Sequence, residues 1–197
     1  DPPFGTFEWS SSDETVATVD DNGVVTPVGE GTATITATRN DGEEASKEIT
    51  VNASKKMPFI FETSGDQEIS RGELSYTYDQ ETGIITLNIP AVEDGGTEYR
   101  KYLINAIQTN DELKNLKPLK YEVYQETGQN NAIGISAPGI DWKENNGTIN
   151  AANPTVFDAS GSAALSSKPV LIQVNNVQGP YVIKIHTKAK TEYLELD

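Results

Sequence analysis

The 197-residue sequence contains no cysteine and a single histidine, His186. Without thiols there is no disulfide, no thiolate nucleophile and no zinc–thiolate centre, and one imidazole excludes any motif that needs two. Cationic residues are scarce too: 15 Lys and Arg face 30 Asp and Glu, for a net charge of −15. Such a chain repels phosphate backbones and anionic membrane surfaces, and it has no counterion release to drive nucleic-acid binding. No apolar run approaches the roughly 18 residues of a membrane span; Val170 to Val174 is strand-sized. The expectation is no nucleic-acid partner and no membrane insertion. The lack of disulfides leaves the compartment open, because exported bacterial proteins and cytosolic proteins both do without them. A start at Asp1, with no basic and apolar leader, is expected of a mature or excised segment of a longer protein.

What is present is ample for a core: 36% apolar residues and 16 glycines, close to ordinary globular usage. Residues 7 to 52 read as short strands cut by turns. Phe7 to Ser10, Thr15 to Val19, Val24 to Pro27, Thr32 to Thr38 and Ser46 to Asn52 are separated by Asp20-Asp21-Asn22-Gly23, Gly29-Glu30-Gly31 and Asn40-Asp41-Gly42. Asn-Gly and Asp-Gly supply the positive φ of tight hairpins, and Thr32 to Thr38 alternates with period two.

Trp9-Ser10-Ser11-Ser12-Asp13, Val16-Ala17-Thr18-Val19-Asp20, Asn22 to Gly31 and Thr32 to Ala37 together resemble the bacterial immunoglobulin-like domain, group 2. The resemblance implies an Ig-like sandwich of the kind found in surface adhesins and as a spacer in secreted glycan-degrading enzymes. An Ig-like sandwich takes about seven strands and roughly 100 residues, whereas about five strands occur here, and the family's opening strands, upstream of Trp9, are missing. An open edge of this sort invites strand-lending by a second chain. Trp9 itself is expected to plug the sandwich core.

Composition shifts near residue 56, where Lys55-Lys56-Met57-Pro58 reads as a polar joint; the expected domains are 1–53 and 57–197. Residues 57 to 197 again read as β: Phe59 to Glu62, a hairpin of Glu73 to Tyr78 with Ile84 to Ile89, then Leu119 to Gln125, Ala132 to Ser136, Pro169 to Asn175, Tyr181 to Thr187 and Tyr193 to Leu196. Thr109-Asn110-Asp111-Glu112 has the capping-box form and predicts a short helix over 110–116, while Glu98 to Ala106 is read as a strand from its β context. The fold class is all-β: a partial Ig-like sandwich followed by a β-sandwich or jelly-roll domain with one short helix. In strand pattern and size the second domain resembles carbohydrate-binding β-sandwich modules.

Strand alternation assigns Tyr124, Gln173, Asn175, Lys184 and His186 to polar faces. Aromatic rings stack on the apolar face of a pyranose while amides and charges pair with its hydroxyls. Trp142 lies in Pro138-Gly139-Ile140-Asp141-Trp142-Lys143-Glu144-Asn145-Asn146-Gly147, read as a loop from its Pro, Gly and Asn content. The expected ligand-binding set is Trp142, Tyr124, Gln173, Asn175, Asp141 and Glu144, with the bland alternatives of a solvated sheet face and a core-edge tryptophan beside it. Catalysis is not indicated: a carboxylate pair about 5 to 10 Å apart is unspecific among the nineteen acidic residues of 57–197, and His186 has no nucleophile motif. No cofactor is expected, although acidic loops with Asp79, Glu81, Glu93 and Asp94 are compatible with structural calcium.

These readings add up to a noncatalytic carbohydrate-binding segment with an Ig-like spacer, from a larger bacterial glycan-degrading protein that is extracellular or on the cell surface. Its expected partner is a polysaccharide or oligosaccharide. The alternatives are an adhesin or structural stalk, and a small glycan-cleaving enzyme domain.

Overall fold

The computed structural model describes residues 6–52, 54–64, 66–92, 99–125, 129–175 and 179–189, without the side chains of 66–68, 129–131 and 147–149. The chain divides into two compact units, Asp1–Ser54 and Lys55–Asp197. No helix of the described residues is long and apolar enough to cross a membrane.

The first unit contains β1 (Phe7–Ser11), β2 (Ala17–Val19), β3 (Val25–Pro27), β4 (Gly31–Arg39) and β5 (Glu44–Val51). β4 lies between β1 and β5 in an antiparallel sheet, and β2 and β3 form a separate hairpin. Alternation along β4 turns Ala33 and Ile35 inward, where Ala33 meets Val16, Ala17, Ile49 and Val51. Trp9 is half-buried and its indole crosses Gly23, where a Cβ would come within 2.6 Å of the ring. Acidic side chains shape the turns. Asp20 Oδ1 accepts the N–H groups of Asn22 (2.9 Å) and Val24 (2.8 Å), so Asp20-Asp21-Asn22-Gly23 is a hairpin turn with Gly23 at φ +81°. Arg39 donates to Asp41 at 2.6 Å, and that hydrogen bond, with the N–H of Glu43, holds the Asp41 carboxyl down to about 2.

The second unit contains β6 (Lys55–Thr63), β7 (Asp66–Asp79), β8 (Ile84–Ile89), β9 (Arg100–Ile104), β10 (Lys120–Gln125), β11 (Gln129–Ala137), β12 (Ile140–Ile149), β13 (Thr155–Asp158), β14 (Val170–Val174) and β15 (Tyr181–His186). They form one antiparallel sheet in the order β12-β11-β14-β9-β6-β7-β8-β15-β10-β13. The sheet rolls until its end strands β12 and β13 lie beside each other, a nearly closed barrel in which alternate residues fill the interior. Phe59, Tyr102, Tyr121 and Tyr181 are fully buried there. Tyr102 meets Tyr181 edge-on with ring centroids 5.7 Å apart, and the Tyr121 hydroxyl donates to Pro138 O at 2.9 Å.

The all-β class holds, and the structure revises several local readings. Lys55 to Pro58 is not a joint: Met57 and Phe59 are buried, and Lys55 to Phe61 pairs with β7. Pro58 is tolerated because it lies beyond the pairing of β6 with β9, which begins at Ile60. Residues 110–116 form turns rather than a helix. Asn110 Oδ1 accepts from the N–H groups of Glu112 (3.1 Å) and Leu113 (3.2 Å) as a cap would, but Glu112 pairs with Lys55 at 2.8 Å instead of reaching back. The one helical turn among the described residues is a 3-10 turn at Ala106–Gln108. Glu98 to Ala106 contains strand β9. Tyr193 to Leu196, expected as a last strand, lies outside the described residues.

Candidate functional site

The largest revision concerns Trp142. The segment read as a loop is β12, an edge strand paired with β11. Between the pairs Ile135–Lys143 and Ala137–Ile140, the two residues Asp141 and Trp142 oppose the single residue Ser136. This bulge shifts the alternation by one: Ile140 is buried at 3% exposure, whereas Trp142 stands out at 44%. A strand whose faces switch partway shows no continuous period of two, so Pro, Gly and Asn content made it look like a loop.

The indole lies against Gly134 of β11, where a Cβ would come within 2.2 Å of the ring. Gly134 is needed for this close approach rather than for its backbone angles. The indole N–H donates to Glu144 Oε1 at 2.9 Å, which tethers the ring to its own strand.

Registers across five strands extend this platform into a polar row. Glu144 of β12 pairs with Gly134 of β11, Gly134 with Gln173 of β14, Gln173 with Lys101 of β9, and Lys101 with Glu62 of β6. With strands about 4.8 Å apart the row is about 19 Å long. At its far end Lys101 Nζ lies 3.3 Å from Glu62 Oε1 and 4.8 Å from the centroid of the Tyr99 ring, and the Tyr99 hydroxyl donates to the same carboxylate oxygen at 3.3 Å. Asn175 flanks the row, its N–H donating to Ala132 O at 3.2 Å. Asp141, at the bulge, is fully exposed with its carboxylate 3.7 Å from Lys168 Nζ.

Trp142, Glu144, Gln173 and Asn175 are therefore brought to one side of the barrel, with Asp141 at its border. Tyr124 lies on β10, with β9, β6, β7, β8 and β15 between it and Gln173 one way round the barrel and β13 between it and β12 the other way. The face expected to gather Tyr124, Gln173, Asn175, Lys184 and His186 is divided, because alternation fixes which side of a strand a residue takes but not which strands are neighbours.

Tyr124 belongs to a second surface on β10 and β15. Lys184 Nζ is 5.9 Å from its ring centroid. Beside it Glu122 binds Lys120 Nζ through Oε1 at 2.9 Å and approaches His186 Nε2 through Oε2 at 3.3 Å. Burial pushes the His186 imidazole below its ordinary value, against the pull of Glu122. Burial pushes Glu122 upward, but the hydrogen bond from Lys120 and the charge of His186 outweigh it and hold the carboxyl low. This arrangement is an ionic ladder on a sheet face. Asp79, one of the calcium candidates, spends Oδ1 on the N–H groups of Glu81 (2.9 Å) and Thr82 (3.2 Å); Glu93 and Asp94 lie outside the described residues.

Sequence reasoning missed Gly134, Lys101, Glu62 and Tyr99. The period of two in Tyr99, Lys101 and Leu103 against Arg100, Tyr102 and Ile104 was the available signal.

Residues 3–51 match the family model of the bacterial Ig-like domain, group 2, as the motifs around Trp9 implied. Two bacterial glycosidases share short segments with the chain. A lacto-N-biosidase of Bifidobacterium bifidum is 46% identical over 50 residues, 25% of this chain. A 3-O-alpha-D-galactosyl-alpha-L-arabinofuranosidase of Bifidobacterium longum subsp. longum is 54% identical over 48 residues, 23% of this chain. The chain spans 4% of the length of each. A solved structure from work on the promiscuous specificity of carbohydrate-binding modules of the β-sandwich superfamily is also similar, at 11% identity and a TM-score of 0.24 over 93% of this chain and 84% of that one. A score that low establishes neither a shared fold nor a shared ligand.

Proposed function

We propose that the second unit is a noncatalytic carbohydrate-binding domain and that its site is the outer face of β12, β11, β14, β9 and β6. One observation carries the reading: a half-exposed indole, seated on Gly134 with its N–H engaged by Glu144, begins a row of amide and charged groups. A ring held in this way offers its face to the C–H face of a pyranose, and Gln173, Asn175, Lys101 and Glu62 offer donors and acceptors to the hydroxyls. The ring is ordered before the ligand arrives, which lowers the entropic cost of binding.

The Ig-like unit serves in this reading as a spacer within a larger, extracellular bacterial glycan-degrading protein. The short identities with two glycosidases support that context. An open sheet face favours binding without cleavage, since hydrolysis needs two carboxylates flanking the scissile bond.

A glycan array followed by calorimetry on the 197-residue chain tests the reading, with reducing-sugar release assayed in parallel. Trp142→Ala is expected to weaken binding by about 1–3 kcal/mol with the fold intact. Unchanged affinity for Trp142→Ala removes the site, and sugar release makes the domain an enzyme.

A further inference from the structure

Arg71 lies on the exposed side of β7. On the neighbouring β6 and on β9 beyond it, Lys56 and Lys101 each reach a carboxylate within 3.4 Å. Among the described residues, no ion pair and no hydrogen bond engages the Arg71 side chain.

It lines a groove of about 520 Å³ with Pro58 and Ile60 of β6 and Asn105, Gln108 and Thr109 of the segment after β9. Ile60 is the register partner of Arg71, so two apolar side chains lie beside the guanidinium. Asn105 precedes the 3-10 turn without a side-chain capping bond, and its carboxamide is available on the same groove. Gln108 Nε2 donates to Ser166 O at 3.3 Å, which leaves its amide oxygen to accept.

A row of residues on the outer face links the groove to the candidate site around half of the ten-strand barrel. Ser136, beside Trp142 at the bulge, pairs with Leu171, Leu171 with Leu103, Leu103 with Ile60 and Ile60 with Arg71. This half-buried aliphatic row runs next to the polar one and spans five strand spacings from Trp142 to Arg71, about 24 Å.

The geometry points to a second subsite at Arg71, for the carboxylate of a uronic acid residue. The inference rests on the reading of this face as glycan-binding. A guanidinium presents a planar fork that matches a carboxylate bidentately. Pro58 and Ile60 receive the C–H face of the ring, and Asn105 and Gln108 meet its hydroxyls. An acidic peptide is the competing occupant, because extended peptides gain affinity by pairing with an open strand edge and β7 pairs with β8 only from Ser75 onward; the apolar Pro58 and Ile60 beside the guanidinium favour the C–H face of a sugar ring.

The test is calorimetry on the 197-residue chain with oligosaccharides of galacturonic, glucuronic and mannuronic acid, each beside the same oligomer with its carboxyls reduced to alcohols. The acidic form of at least one is expected to bind about tenfold more tightly, the value of a charge-assisted hydrogen bond. Arg71→Gln should abolish that preference at an unchanged melting temperature, and Arg71→Lys should restore part of it. Equal binding of acidic and reduced forms, with loss of both in Trp142→Ala, overturns the Arg71 subsite and leaves the glycan-binding face in place. Binding of none of these or of neutral glycans overturns both. Displacement by polyglutamate as effective as by the best uronate overturns the sugar assignment of the subsite.

Discussion

The two units of this chain are both antiparallel β and are held together by different means. In the first, the residues that meet at the centre are Val16, Ala17 and Ala33 with Ile49 and Val51 beside them, and β5 is exposed along most of its length. Its order comes from turns in which Asp13, Asp20 and Asp41 tie down the backbone or a neighbouring side chain. In the second, aromatic and branched side chains from ten strands fill one interior. Apolar burial contributes roughly 25 cal/mol per Å², whereas exposed ion pairs and turn hydrogen bonds contribute about 1 kcal/mol or less each. Chemistry that is cheap to write into a sequence can define a small module's shape without giving it much stability.

The chain carries one tryptophan in each unit, Trp9 and Trp142, so the comparison can be broken directly. In Trp142→Phe and Trp9→Phe variants, fluorescence follows one unit at a time, and the first unit is expected to unfold at the lower denaturant concentration. Coincident transitions would mean that the two units unfold as one. Against that background the largest single effect is expected from Phe59→Ala in the barrel interior, about 3–5 kcal/mol by denaturation. Val16→Ala in the first unit should cost about 1.5 kcal/mol, the transfer of two methyl-sized groups.

Two glycines sharpen the contrast between the inside and outside of the barrel. A Cβ at Gly72 would come within 2.4 Å of the buried Phe59 ring, and one at Gly134 within 2.2 Å of Trp142. Gly72→Ala is expected to cost about 1–3 kcal/mol, because an enclosed ring has nowhere to go. Gly134→Ala should cost under about 1.5 kcal/mol, since the exposed indole can swing outward, but with a red shift in Trp142 emission and a loss of glycan affinity comparable to that of Trp142→Ala. Equal destabilisation by the two substitutions would contradict the open platform.

The smallest expected effect lies in pH. His186 in the folded state sits below its ordinary 6.5 because burial disfavours its cation. As the pH drops through 6.5 the unfolded chain takes up a proton that the folded chain does not, and stability falls. Glu122, held below 4.5 against its own burial, adds a second loss in the same direction as the pH passes below 4.5. His186→Gln should flatten the first step of a stability profile and leave an acid limb in place.

Much of the fold could be read from local pattern. Thr32 to Thr38, the Asp79-to-Gly83 turn between β7 and β8, and the inward sets Tyr121 and Val123, Val170, Ile172 and Val174, and Ile183 and Ile185 follow from alternation and turn residues. β12 and β13 were not legible. One is an edge strand interrupted by a bulge, and the other has only four residues. At the candidate site, Trp142, Glu144, Gln173 and Asn175 were found by residue type, while Gly134, Lys101 and Glu62 enter only through their cross-strand partners.

By itself the sequence determined the all-β class, the Ig-like resemblance of residues 7–52 and the polar and apolar side of the regular strands. Each of these depends on composition or on neighbours within a few residues, and the period of two is a property of a single strand. Tertiary structure decided that Trp142 rests on Gly134, that Gln173 and Lys101 continue its row and that Tyr124 lies beside Lys184 of β15. Strand order and a two-for-one bulge are set by pairing between residues tens of positions apart, a competition among all the strands that no single strand records.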